Sequence, residues 1–411
     1  MTRGRSALPW TGGGVPAGHG TGRSGPPRPG AEALPVGVEE EFFLFDPRTG
    51  RTIPRAAGVL DAVRDPDRVQ REFAACQVET ASSPHTDLGE LQRELVRLRS
   101  ELSGAARRAG CRLTACGSAP FENSATGATV TDIPRYLRIA RAYGAIARGE
   151  KCCGCHVHVE VPDREEAVQV CNHLRPWFPT LLALTANSPF TAGRDSGYAS
   201  WRTIAWGRWP TVGPPPLLDS AADYRATVDA LVRSGVILDE AMVYWLARPS
   251  HHLPTVEVRV ADVCATAEET VAYAAIVRAL VTTVLHDIRS GVPAPRPVEA
   301  LLEGAHWRAA RDGLEGQGVD PFTGAPVPAW RLVDELMARI GPALAAAGDL
   351  PMVTERLFLL RCLGSGAARQ RAVYGQRSNL QDVVAWMGRQ TAPVTVCDLP
   401  LLTSQGDFSV I

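Results

Sequence analysis

The chain has 411 residues, a formal net charge of −1, 45% hydrophobic residues and 21% charged ones. A near-neutral chain without a basic stripe argues against a polyanion-binding surface, so no nucleic-acid partner is expected. The length allows one large domain or two to three ordinary ones. Positive charge is almost all arginine. Lys151 is the single lysine, which leaves no lysine-based phosphate loop elsewhere. Ten cysteines in so long a chain do not make a disulfide framework. The opening MTRGRSALPWTGGG lacks the apolar stretch of a secretory signal. No run approaches the roughly 18 apolar residues of a membrane span. The best candidate, Val271 to Leu285, is interrupted by Arg278. A cytoplasmic protein with reduced thiols and no membrane partner is expected.

Residues 1–34 are rich in Gly, Pro and Arg, lack an apolar period and read as a disordered tail. Folding is expected to start at Pro35 with the strand VGVEEEFFLF, followed by a turn over Asp46–Gly50. Residues 72–81 read as extended, ending at Ser82-Ser83-Pro84. Leu88, Leu91, Leu95, Leu98 and Leu102 fall at helical spacing, with Thr86 or Asp87 as the cap. A short strand over 111–117 and a helix over 134–148 follow. GCHVHVEV at 154–161 alternates as a strand, and a helix is predicted over 164–186. Residues 187–219, with Trp201, Trp206 and Trp209, read as a long structured loop over a site and as the candidate lid. A helix near 221–234 precedes a second acidic strand at 255–260. A strong helix covers 266–289, and Pro/Gly-rich loops separate it from helices at 329–346 and 352–363. The residues after Thr391 carry little pattern and read as a C-terminal tail. Strands early and long helices late indicate an α+β fold with an antiparallel sheet.

Side chains two apart on a strand share a face. Glu39 and Glu41 therefore point one way, as do His156 and His158, and Glu257 and Arg259. Aiming a carboxylate pair into a protein requires a cation, because unpaired buried charge is costly. Mg²⁺ prefers carboxylate oxygens and is commonly shared with phosphates. The alternative for Glu39 and Glu41 is a solvated strand edge. Phe42–Phe45 occupy both faces just afterwards, which favours a covered strand and hence metal. Glu79 is the next candidate ligand. Glu72, seven residues earlier, can join it only across a bulge or turn, so Glu79 is preferred. Of the two histidines, one could ligate metal while the other bonds a phosphate; a core pair, or a Zn²⁺ amidohydrolase site, are the rival readings. Glu257 beside Arg259 is either a structural ion pair or a metal ligand beside a phosphate-neutralising guanidinium. Arg202 and Arg248 are candidate carboxylate or phosphate clamps. Cys152-Cys153-Gly154-Cys155 has no second cysteine pair at zinc-ligand spacing and reads as packing.

Taken in order, GVEEEF, QVETASSP, GCHVHVEV, LTANSPF, RPSHHLPTVEVRV and HWRAARDGLEG…DPFTG resemble the type 2 glutamate–cysteine ligase family, in its stand-alone carboxylate–amine ligase branch, across about residues 35–390. The resemblance implies a glutamine-synthetase-like catalytic domain, with a curved antiparallel sheet around the active site and helices outside. It implies an ATP- and Mg²⁺-dependent ligase that joins a carboxylate, most simply that of glutamate, to an amine, most simply that of cysteine. It matches Glu39, Glu41, Glu79, His156 and Glu257 to the metal set and Arg259, Glu257 and His158 to catalysis; Arg259 together with the loop arginines Arg202 and Arg248 is expected at the nucleotide. A homo-oligomer is compatible with it. Two departures stand out. Glu40 adds an off-face charge, and Glu160 replaces the usual glycine on the histidine face, where it could reshape the substrate pocket.

Overall fold

Ten consecutive residues, Val36–Phe45, form the longest strand, β1, and the other strands of the main sheet pair with it directly or through one or two intervening strands. The computed structural model describes residues 33–121, 129–149 and 151–392, so most of the two expected tails lies outside the described residues. After β1 come α1 (Ala56–Leu60), β2 (Val69–Arg71), β3 (Gln77–Ala81), α2 (Leu88–Arg108) and β4 (Arg112–Thr114). Next are α3 (Pro134–Tyr143), α4 (Ala145–Arg148), β5 (Gly154–Glu160), α5 (Arg164–Leu174) and α6 (Phe178–Thr185). A small hairpin, β6 (Phe190–Thr191) and β7 (Arg194–Asp195), precedes α7 (Trp201–Trp206) and α8 (Ala221–Arg233). Then follow β8 (Ala247–Pro249), β9 (Thr255–Asp262), α9 (Ala267–Arg289) and α10 (Glu299–Asp312). A second hairpin, β10 (Gln317–Val319) and β11 (Pro326–Pro328), leads into α11 (Ala329–Ala346), α12 (Leu350–Leu363), α13 (Gly366–Arg377) and α14 (Leu380–Thr391).

The main sheet runs β2-β3-β1-β5-β9-β8, with β4 also pairing to β1, and its pairs are antiparallel. The α+β expectation therefore holds. One face carries Val36, Val38, Val157, Val159, Val256 and Val258, packed with α2, α5, α6, α9 and α11 into the largest core cluster. Among the described residues only α9 is apolar and long enough to cross a membrane, and 78% of its apolar window is buried inside this core. Phe42–Phe45 anchor a second cluster with Leu113 and the α14 residues Val383, Val384 and Met387. A third, satellite cluster joins Ile139 of α3, Val228 of α8 and Met242, Val243 and Trp245.

Several expected elements change at points with a local cause. The helix over 134–148 breaks at Gly144, whose φ of 55° ends α3. The helix over 164–186 is interrupted at Arg175–Trp177, where Pro176 forces a 3₁₀ turn. Helices α10, α13 and α14 arise where Pro/Gly content or weak periodicity concealed them. The candidate lid is also corrected. Asn187, Ser188, Ser200 and Arg202 are buried, and the first three bond to Asp262 of β9, so this half of 187–219 is part of the scaffold.

Candidate active site

The register of four strands turns separate two-residue periods into one constellation. Glu39 stands opposite His156, Glu41 opposite Glu79, and His158 opposite Glu257, which in turn faces Arg248. Glu257 and Arg259 share this face by strand alternation, and a one-residue shift in the β5–β9 register follows between Val157/Val258 and Cys155/Ala261. All these side chains line one cavity of about 890 Å³. Its walls add Phe73, Tyr136, Trp209 and Tyr244, which pack on the satellite cluster, and Trp206, which packs on the largest one.

Two groups of donors have ligand atoms lying within 4.8 Å of one another: Glu39, His158 and Glu257, and Glu41, Glu72 and Glu79. Glu72 belongs here because the β2–β3 turn folds it back beside Glu79, where strand parity no longer applies. His158 joins Glu39 and Glu257 in the first group, and the Nδ1 of His156, the expected metal histidine, lies 3.1 Å from Glu39 and 3.7 Å from Glu257. His158 Nδ1 is held by Thr255 Oγ1 at 3.0 Å, leaving a buried Nε2 without a hydrogen-bond partner, 3.5 Å from Glu39. His156 Nδ1 instead bonds Glu39 Oε2 at 3.1 Å.

The two groups differ in charge balance. Arg248 Nε donates to Glu257 Oε2 at 2.8 Å and Arg259 Nη1 donates to Oε1. Burial would raise the Glu257 carboxyl, but these two guanidiniums and the histidines hold it well below the usual range. Glu39 is likewise held low, because His158 and His156 outweigh its burial. Burial and Arg259 push His156 down, while Glu39 and Glu257 overcome burial and push His158 up. In the other group Arg202 and Arg259 lower Glu41 without outweighing its burial. Gly154 N–H donates to Glu41 Oε2 at 2.6 Å and Gln70 Nε2 to Glu79 Oε1 at 2.5 Å, yet among the described residues no Arg or Lys ion-pairs with the trio. Burial and the neighbouring Glu72 raise Glu41 to about 8. Burial, then Glu39, Glu72 and Glu41, raise Glu79 well above its ordinary value. Three crowded carboxylates offer a set of hard oxygen donors that could hold a cation.

Arg202 and Arg248 are not free clamps. Arg248 also donates to the Ala241 and Val243 carbonyls. Arg202 lines the cavity but is buried, donating to the Val260 and Arg259 carbonyls at 3.3 Å. It braces β9 from beneath the site. Gly154 is required there, since a Cβ would lie 2.4 Å from Arg202 Nη2. Glu160 is absent from the cavity wall, contrary to expectation. Cys153 and Cys155 are fully buried, with thiols pushed far up by burial, in line with a packing role.

Glu40, read from the sequence as an off-face charge, points into the core with no exposed surface. It receives Arg99 Nε and Nη2 at 3.0 and 2.6 Å. The signal was present: Arg99 sits inside the apolar stripe of Leu95, Leu98 and Leu102, and a charge on a buried helix face needs a partner.

A model of the glutamate-cysteine ligase family 2 (GCS2) matches residues 35–385. The chain belongs to this family. A Salinispora tropica protein described as "Putative glutamate--cysteine ligase 2" is 50% identical over 369 residues, covering 89% of this chain and 97% of that one. A Nocardia farcinica relative described as "Putative glutamate--cysteine ligase 2-1" is 47% identical over 361 residues, covering 88% and 94%. The crystal structure of the glutamate–cysteine ligase of Francisella tularensis in complex with AMP superimposes with a TM-score of 0.66. It covers 89% of this chain and 90% of that chain at 13% identity. The α+β architecture of this family member is thus the glutamate–cysteine ligase fold.

Proposed function

We propose that the protein is an ATP-dependent carboxylate–amine ligase that forms an amide through an acyl phosphate, with glutamate as the acid and cysteine as the amine. Family membership supports the reaction class. The observation that carries it to this site is the juxtaposition of a crowded carboxylate trio with the Glu257–Arg259 pair in one cavity. A carboxylate oxygen of the acid attacks the γ-phosphorus and ADP leaves. The amine nitrogen then attacks the acyl carbon, phosphate departs with the C–O electron pair, and the nitrogen loses a proton.

Glu41, Glu72 and Glu79 would hold one Mg²⁺, and Glu39, His158 and Glu257 a second. The ions would screen the repulsion between two anionic reactants. Arg259, fixed by Glu257 and flanked by the Trp206 and Tyr244 rings at 5.8 Å, is placed to neutralise the transferring phosphoryl group. His156, bonded through Nδ1 to Glu39, helps to orient that carboxylate on the same face. The aromatic wall limits water, to which an acyl phosphate would be lost. Five carboxylates against two histidines favour a hard cation over the zinc amidohydrolase reading.

ADP release should require both glutamate and cysteine, with γ-glutamylcysteine seen by mass spectrometry. Failure of every acid–amine pair to elicit ADP would sink the ligase reading, whereas release with a different pair would replace only the substrates.

The raised carboxyls give a pH prediction. Their neutral form is favoured on folding, so this stability is complete below the ordinary value of 4.5 and is lost as pH rises through about 8 for Glu41. Without divalent cation, the melting temperature should therefore gain from acidification across this window. Mg²⁺ should raise it more at about pH 8 than at about pH 6, where protons compete. An equal shift at both, or none, in a thermal melt counts against the trio as the cation site.

A further inference from the structure

The chain contains one lysine, Lys151, and it lies in the cavity wall with 6% of its surface exposed. Its Nζ donates to one acceptor, the Ala147 carbonyl, and sits 4.9 Å from the centre of the Phe73 ring. Among the described residues no carboxylate is within ion-pair distance of it. An ammonium has three donors, and one carbonyl and one ring leave a buried charge only partly answered. Burial accordingly lowers its pKa to about 8, against the opposing influence of Cys76 and Cys152.

The surroundings indicate which end of the cavity it serves. Phe73, under the ammonium, directly follows Glu72. Gln77 Nε2 donates to the Cys152 carbonyl at 2.7 Å, and Gly154 N–H bonds Glu41. The segment 151–154 thus runs along the carboxylate trio, where the phosphates would meet the cation. We propose that Lys151 receives a phosphate oxygen of the nucleotide at the Glu41/Glu72/Glu79 end of the cavity. This rests on the ligase reading above. An incoming phosphate would supply the counter-charge that the protein withholds. The acid substrate's carboxylate is the other anion that could fill this role.

Because the lysine is single, protein labelled with ¹³Cε-lysine gives one lysine resonance with no substitution needed. ATP analogue plus Mg²⁺ should shift it and raise its titration midpoint by about one pH unit or more, while glutamate alone should leave it in place. Lys151→Met should raise the KM for ATP at least about tenfold, with the glutamate KM changed less than about twofold. Calorimetry of nucleotide binding to the unmodified protein separates the failures. If nucleotide binds and the resonance does not respond, or responds to glutamate instead, Lys151 is not a phosphate ligand and the ligase reading survives. If no nucleotide binds at all, both fall. Should the Met variant fail to fold, the resonance of the unmodified protein still decides.

Discussion

Arg259→Ala will lower carboxylate-dependent ADP release by about 10³-fold, chiefly in kcat, because phosphoryl transfer relies on charge placed where the transferring group passes. The side chain suits this. Glu257 fixes one end, two aromatic rings flank it, and its Nε is buried without a partner inside the protein. Arg259→Lys should recover only part of the rate, since an ammonium cannot reproduce the planar fork. Glu257→Gln should also be severe, because it releases both Arg248 and Arg259 together with a proposed metal ligand. Steady-state ADP release by each variant is the measurement. Near-wild-type turnover in both Arg259→Ala and Glu257→Gln would defeat the proposed mechanism.

The second large effect is on stability and lies outside the cavity. Arg99→Met or Glu40→Met will each destabilise the fold by about 3–5 kcal/mol, the cost of stranding one partner of a buried ion pair. Glu40 has no exposed surface and Arg99 has 1%. Besides Glu40, the guanidinium serves the Cys264, Ala265 and Thr391 carbonyls and Thr270 Oγ1, so it ties β1, the start of α9 and the end of α14 together. Thr270 Oγ1 closes the network by donating to Glu40 Oε1 at 2.6 Å. The double variant should lose less than the sum of the two single losses, because neither charge is left behind. Denaturant unfolding of the three variants checks this. Additive losses would show that the pair does not act as a unit.

Much of the site was legible because strand alternation is a local property. VGVEEEFFLF, GCHVHVEV and TVEVRV each disclose which residues share a face, whatever the rest of the chain does. That determined Glu39 with Glu41, His156 with His158, and Glu257 with Arg259. Helix α2 was legible for the same reason, through its leucine spacing and the Asp87 cap, which accepts from Gly89 and Glu90. Which strand lies beside which, and in what register, is not local: it follows from how whole faces pack. Only the tertiary structure decided that Glu72 completes a trio with Glu41 and Glu79, that both His156 and His158 come up against Glu39, and that Arg202, while lining the cavity, also braces β9 through its carbonyls. The same holds for Glu40 and Lys151. Their charges are plain in the sequence, but whether a charge meets a partner, or is left waiting for one, depends on residues that folding brings from elsewhere in the chain.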